Sequence, residues 1–158
     1  MNDLYAGIKL NEEQSQWICR GLLDLAAVDG VHANEEALIR EFYRSAGGEI
    51  ADLAALEAQG FDPKSAADVL QGNLVEAFLM SCYMLIYADG HHSDEERVRI
   101  GEFAAAMGVD STELDGLHTR ARLYLLQMLA AEIRNRDALK MAGRALGLTQ
   151  DDMAGITS

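Results

Sequence analysis

The chain of 158 residues has one proline, two cysteines, and thirteen lysines and arginines against twenty-six aspartates and glutamates. Each shortage excludes something. There is no run rich in Val, Ile and Thr, so the residue types of a β-sheet protein are missing, while frequent Ala and Leu favour helix. Cys19 and Cys82 lack a CxxC spacing and sit in apolar stretches; they read as buried free thiols and point to the reducing cytoplasm. A formal charge of −13 lacks the basic footprint that nucleic acids and anionic membrane surfaces require. It suits cations, basic protein partners or plain solubility. The opening "MNDLYAGIKLNEEQ" has neither a basic n-region nor an apolar h-region, so no secretory leader is expected. Nor is a transmembrane segment, since no apolar run reaches about 18 residues.

What is present is helical periodicity, which runs through almost the whole chain. Asn11 fits an N-cap with Glu12 and Glu13 in the first turn; Trp17, Ile18, Leu22, Leu25 and Ala26 line one face as far as about Asp29, where Gly30 supplies a stop. A second helix begins near Asn34, turns Leu38, Ile39 and Phe42 inward and ends at Gly47 and Gly48. A shorter one follows from Ile50 to about Gln59. Asp62 then caps a helix whose first residue is Pro63, the position proline tolerates best. Leu74 to Ala88 is strongly apolar, and Asp94 to Met107 opens with Ser93-x-x-Glu96, the spacing of a capping box. Gly108 ends that helix and Asp110-x-x-Glu113 opens another. Leu123 to Ile133 continues helical, and a last helix is expected from Asp137 to about Leu146. "ALGLTQDDM" near the end echoes "AMGVDSTEL" at 106–114. The expected fold is all-α: a compact bundle of about seven to eight helices in a single domain, residues 1–158.

One phrase is written twice. "DGVHANEE" occupies Asp29 to Glu36 and "DGHHSDEE" occupies Asp89 to Glu96, with five of eight positions identical. The repeat cores span about 11–48 and 71–108 at an offset of sixty. Each is an apolar helix, an Asp-Gly corner and an acid-started amphipathic helix. Matched copies pack about a pseudo-twofold axis, which would set the two corners in equivalent, neighbouring positions.

Asp29 and Asp89 stand at helix C-termini, where the macrodipole disfavours a negative charge by up to about 1 kcal/mol. Two readings compensate them. In the first, each Asp caps the next helix, and Glu35, Glu36, Glu95 and Glu96 are ordinary first-turn acids. In the second, a cation is bound. An EF-hand is excluded: placing Gly30 or Gly90 at the invariant glycine puts Leu25 and Ala27, or Leu85 and Tyr87, where oxygen ligands belong. A more open oxygen site is not excluded. His32 and His92 add nitrogen, and carboxylate with imidazole suits Zn, Mn or Fe, whereas carboxylates with carbonyls suit Ca or Mg. His91 has Val31 as its counterpart and reads as surface, and His118 has no counterpart. No Glu has a His three residues on, as a ferritin-like di-iron site needs. Ser and Cys lack a nucleophile motif. Met80, Tyr83, Met84 and Tyr87 read as core, and the basic stretch from Arg120 to Lys140 as a solvated face that could also dock an acidic partner.

The phrase "ADGHHSDEERVRIGEFAAAMGV", preceded by an apolar helix and duplicated as "VDGVHANEEALIREF", resembles the TerB-like family of tellurite-resistance proteins. A similar pattern occurs in the TerB-like domain of membrane-anchored J-domain co-chaperones. The resemblance implies an all-helical pseudo-twofold fold, no enzymatic reaction, and a stress response involving metal or metalloid ions. It also implies acidic cation sites, which fall on Asp29, Glu35 and Glu36 and on Asp89, Glu95 and Glu96; His32 and His92 join them from the spacing alone. The functional expectation is a cytoplasmic, non-enzymatic protein holding a divalent cation (Ca, Mg, Mn or Zn) at the paired corners. A protein partner is expected beside the cation, and a homodimer is among the assemblies allowed. The alternative is a helical protein–protein interaction module whose corners are purely structural caps.

Overall fold

The computed structural model describes residue 5 and residues 9–28, 33–45, 53–87 and 93–157. Among them the secondary structure is helical, without strands, so the all-α expectation holds. The helices are α1 (Glu12–Ala26), α2 (Ala33–Ser45), α3 (Leu53–Gln59), α4 (Pro63–Val69), α5 (Asn73–Tyr87), α6 (Asp94–Ala106), α7 (Ser111–Ala130), α8 (Arg136–Ala145) and α9 (Gln150–Thr157). That is one more than the upper expectation. The sequence around Asp110 and Leu123 forms a single long helix, α7, and the added helix is α9.

The starts follow side-chain chemistry. Asn11 accepts from the Gln14 amide while Gln14 reaches back to the Asn11 amide, closing a capping box. Asp62 caps α4 with Pro63 at its first position, and Asp110 accepts from the Glu113 amide. The echo "ALGLTQDDM" is a second copy of that stop-and-start. Gly147 and Gly108 both take positive φ, +81 and +80, which suits glycine because a Cβ clashes there. Thr149 and Asp152 then exchange amide bonds as a capping box for α9. α1 stops at Ala26, capped at Ala27, three residues short of the expected Asp29. Asp29 itself lies outside the described residues.

α1 and α5 pack on each other, and each touches the second helix of both repeats: α1 meets α2 and α6, α5 meets α6 and α2. This reciprocity is what a pseudo-twofold duplication requires. The two are joined by aromatic contacts. Phe61, in the link between α3 and α4, lies against Trp17, Phe78 and Phe103, with ring centroids 5.9, 5.7 and 4.9 Å away. Fully burying one such ring contributes about 1.5–3 kcal/mol. Gly21 keeps α1 close to α5, since a Cβ there would stand 2.5 Å from the Phe78 ring. Cys19 and Cys82 are buried free thiols, and burial pushes both above the ordinary thiol range.

A second, smaller apolar cluster holds the end of the chain. Leu126 of α7, Leu139 of α8, Leu148 and Met153 of α9 are buried together. α7 therefore serves two cores: Leu117 and Ala121 face the main one, and Leu126 faces the other. No helix among the described residues is long and apolar enough to cross a membrane.

Candidate functional site

Asp29, Gly30 and His32 of the first corner, and Asp89, Gly90, His91 and His92 of the second, lie outside the described residues. So do the expected stop at Gly47 and Gly48 and the start at Ile50. The four glutamates are described, and they divide. Glu35 and Glu96 are buried, 2% and 1% exposed, although Glu is rarely buried without compensation. Glu95 is exposed, and Glu36 is half-exposed in an ion pair with Arg40 one turn on.

This division shifts the repeat by one residue. The lettered phrase aligns Glu35 with Glu95, but burial aligns Glu35 with Glu96, Ile39 with Ile100 and Phe42 with Phe103. Each pair is sixty-one residues apart, one more than the Asp-Gly phrase. The signal was legible as Glu-x-x-x-Ile-x-Glu-Phe, which recurs at 35–42 and 96–103.

At the second corner the chemistry is explicit. The Ser93 hydroxyl accepts from the Glu96 amide at 3.2 Å, and Glu96 Oε1 accepts from the Ser93 amide at 3.1 Å. The expected capping box is formed, with its carboxylate turned into the protein rather than to solvent. Nearby, Arg99 of α6 spans the repeats: its guanidinium donates to Asp24 of α1 at 2.9 Å and to Glu102 at 2.7 Å. Partial burial pulls against its charge, but Glu102 and Asp24 outweigh that and leave its pKa above the ordinary range.

His118 of α7 has no counterpart in the other repeat, and the tertiary structure gives it a place. Its ring stacks on Tyr83 with centroids 4.1 Å apart and planes 9° apart. Its Nε2 shares a 2.8 Å hydrogen bond with the hydroxyl of Tyr87, the last described residue before the second corner. Tyr83 and Tyr87 are thus packing residues, as expected, and Tyr83 is pushed up to about 12 by burial first, then by Cys82 and Asp115. No described residue of the first repeat is a histidine. At the sixty-residue offset of the Asp-Gly phrase, Tyr83 and Tyr87, one turn apart on α5, have Leu23 and Ala27 as their counterparts.

Among the described residues, no three His, Cys, Asp or Glu side chains group closely enough to hold a metal ion. The donors that the corners could add are the two carboxylates and the imidazoles at 29, 32, 89 and 92. Comparison with family models, curated proteins and solved structures finds no match to this chain.

Proposed function

We propose that this chain is a non-enzymatic, TerB-like helical protein of the cytoplasm that binds a divalent cation at two acidic corners. One buried glutamate anchors each site: Glu35 with Asp29 and His32, and Glu96 with Asp89 and His92. The observation that carries the reading is the burial of Glu35 and Glu96 at matched places on α2 and α6. A capping box needs a carboxylate at the helix start, but does not need it buried. Removing a carboxylate from water costs several kcal/mol, and a helix N-terminus returns at most about 2 kcal/mol. A cation beside the corner would add to what the protein around each carboxylate supplies. Ser93 donates to a single oxygen of Glu96, and a carboxylate offers about four acceptor positions. Glu36, paired with Arg40, and the exposed Glu95 fall out of the ligand set. An oxyanion such as tellurite would be repelled by these carboxylates, so a cation is the guest.

The second reading is an interaction module with purely structural corners. It is favoured by the same capping box, which accounts for Glu96 Oε1 without a metal. Calorimetry and native mass spectrometry with Ca, Mg, Mn and Zn separate the two. Binding to the wild type should be lost in Asp29→Asn/Asp89→Asn and in Glu35→Gln/Glu96→Gln, and kept in Glu36→Gln/Glu95→Gln. No binding by the wild type, or binding unchanged by the first two double variants, removes the cation reading.

A further inference from the structure

The acidic balance of the chain hides one basic stretch. Residues 120–144 hold Arg120, Arg122, Arg134, Arg136, Lys140 and Arg144 against Glu132 and Asp137. That is a local net of +4 in a chain of −13, so the remainder carries −17. The stretch is largely the end of α7 and the whole of α8, the part of the molecule built around the small second cluster.

On α8 the charges are ordered. Leu139 and Gly143 are buried, with Ala142 and Leu146 packed beside them. Arg136 and Arg144 are exposed and Lys140 is half-buried between them, at four-residue intervals that make one continuous ridge of a helix. Met141 stands beside that ridge at 68% exposure, the most exposed large apolar side chain described. Among the described residues, none of the three cations makes an ion pair, whereas Arg40, Arg99 and Arg120 each do.

As a stabilising surface this arrangement is poor. Like charges one turn apart cost about 0.2–0.5 kcal/mol a pair, and the ridge contains two such pairs. Arg136 also occupies the first position of α8, the positive end of the helix dipole. A helix that serves only to cover Leu126 and Met153 would gain from acids at positions 136 and 140, whereas Arg144 suits the C-terminal end of the helix dipole. A local rule broken without a local gain marks a surface with another use.

We propose that the Arg136–Lys140–Arg144 ridge and Met141 form a docking surface for a short acidic segment of a partner protein. That segment would present carboxylates at one-turn spacing with an apolar residue beside them. Length selects this partner over other polyanions. α8 has ten residues and is about 15 Å long. A nucleic-acid backbone or an anionic bilayer is extended, and would run off the ridge onto the acidic remainder of the molecule. A segment no longer than α8 stays on the ridge, because at physiological salt the field of the acidic body is screened within about 8 Å. Met141 supplies the desolvated anchor that exposed ion pairs by themselves do not provide.

The probe is a synthetic fluorescent helical peptide of α8's length, with three Glu one turn apart and a Leu beside them, measured by polarisation against the full chain. Binding should weaken with added salt. It should fall roughly tenfold or more in Arg136→Glu/Lys140→Glu/Arg144→Glu, the combined loss of three exposed pairs. It should also fall in Met141→Ser, which leaves the charges in place. A scrambled peptide of equal composition should bind at least several-fold less well. Circular dichroism checks that the variants fold; if the triple variant does not, Lys140→Gln replaces it with a smaller loss expected. Absence of binding, equal binding of the scrambled peptide, or insensitivity to Met141→Ser overturns the proposal. So does preferential binding to a DNA duplex or to phosphatidylserine vesicles, or self-association by light scattering that the ridge variants abolish.

Discussion

The two apolar clusters of this molecule are built to different standards. In the main one Phe61, Phe78 and Phe103 meet ring to ring, Gly21 lets α1 approach α5, and Arg99 ties α6 to Asp24 on α1. In the C-terminal one, four aliphatic side chains, Leu126, Leu139, Leu148 and Met153, are buried without an aromatic among them. Tyr5 belongs to the main cluster too, its hydroxyl bonded to Ser81 at 2.7 Å deep in the protein. Stability follows buried area and the density of mutual contacts, so the C-terminal helices should open at a lower free energy than α1 and α5. The difference also fits their charges: the acidic body holds the matched buried glutamates, and the thinner cluster carries the basic ridge.

The largest effect should come from the aromatic junction. Phe103→Ala is expected to lose about 3–5 kcal/mol in urea unfolding, with α1, α5 and α6 melting together. Leu139→Ala should cost about 2–4 kcal/mol, but the loss should appear in amide exchange on α8 and α9 while α1 and α5 keep their protection. If both variants deprotect the whole chain equally, the two clusters are one cooperative unit and the contrast fails.

A finer comparison sets one capping box against the other. The Asn11–Gln14 box is exposed, whereas the Ser93–Glu96 box holds a buried carboxylate. Asn11→Ala should cost about 0.5–1 kcal/mol and Ser93→Ala about 1–2 kcal/mol, because the second also strips the hydroxyl donor from a buried anion while leaving the amide donor in place. Equal losses would mean that burial of Glu96 adds nothing to the cap.

The smallest effects are those of pH. Burial holds Tyr83 neutral from its ordinary 10.0 up to about 12. A raised folded pKa gives stability that is intact below pH 10 and is lost as pH rises through 12. Tyrosinate absorbance should therefore lag behind that of free tyrosine until the fold gives way. Asp62 and Asp152 move the other way. Ser65 holds Asp62, and the Thr149 amide and hydroxyl hold Asp152, below the ordinary 3.8. Their contribution is present above that pH and fades as pH falls through the lower folded values, which Asp62→Asn should blunt in an acid titration.

Much of the helical plan was legible because caps are local. Asn11, Asp62, Ser93 with Glu96, and Asp110 each act on an amide two or three residues away, so a short window contains the whole interaction. α9 was legible too, as an echo of the Gly108–Asp110 stop-and-start, but its shortness and weak apolar face left it unassigned. The site was harder to read. Two adjacent glutamates lie about 100° apart around a helix, so one of each pair turns inward, and the choice rests on what packs against the face.

The sequence by itself determined the helical class, the helix boundaries set by caps and by Gly108, the duplication, and the segregation of charge. All of these follow from a residue and its near neighbours. Only the tertiary structure decided that Glu35 pairs with Glu96, that His118 lies between Tyr83 and Tyr87, and that α7 divides its faces between two clusters. Those outcomes depend on which helix lies across from which. That is fixed by long-range packing, where a one-residue rotation costs little locally and reverses what is buried.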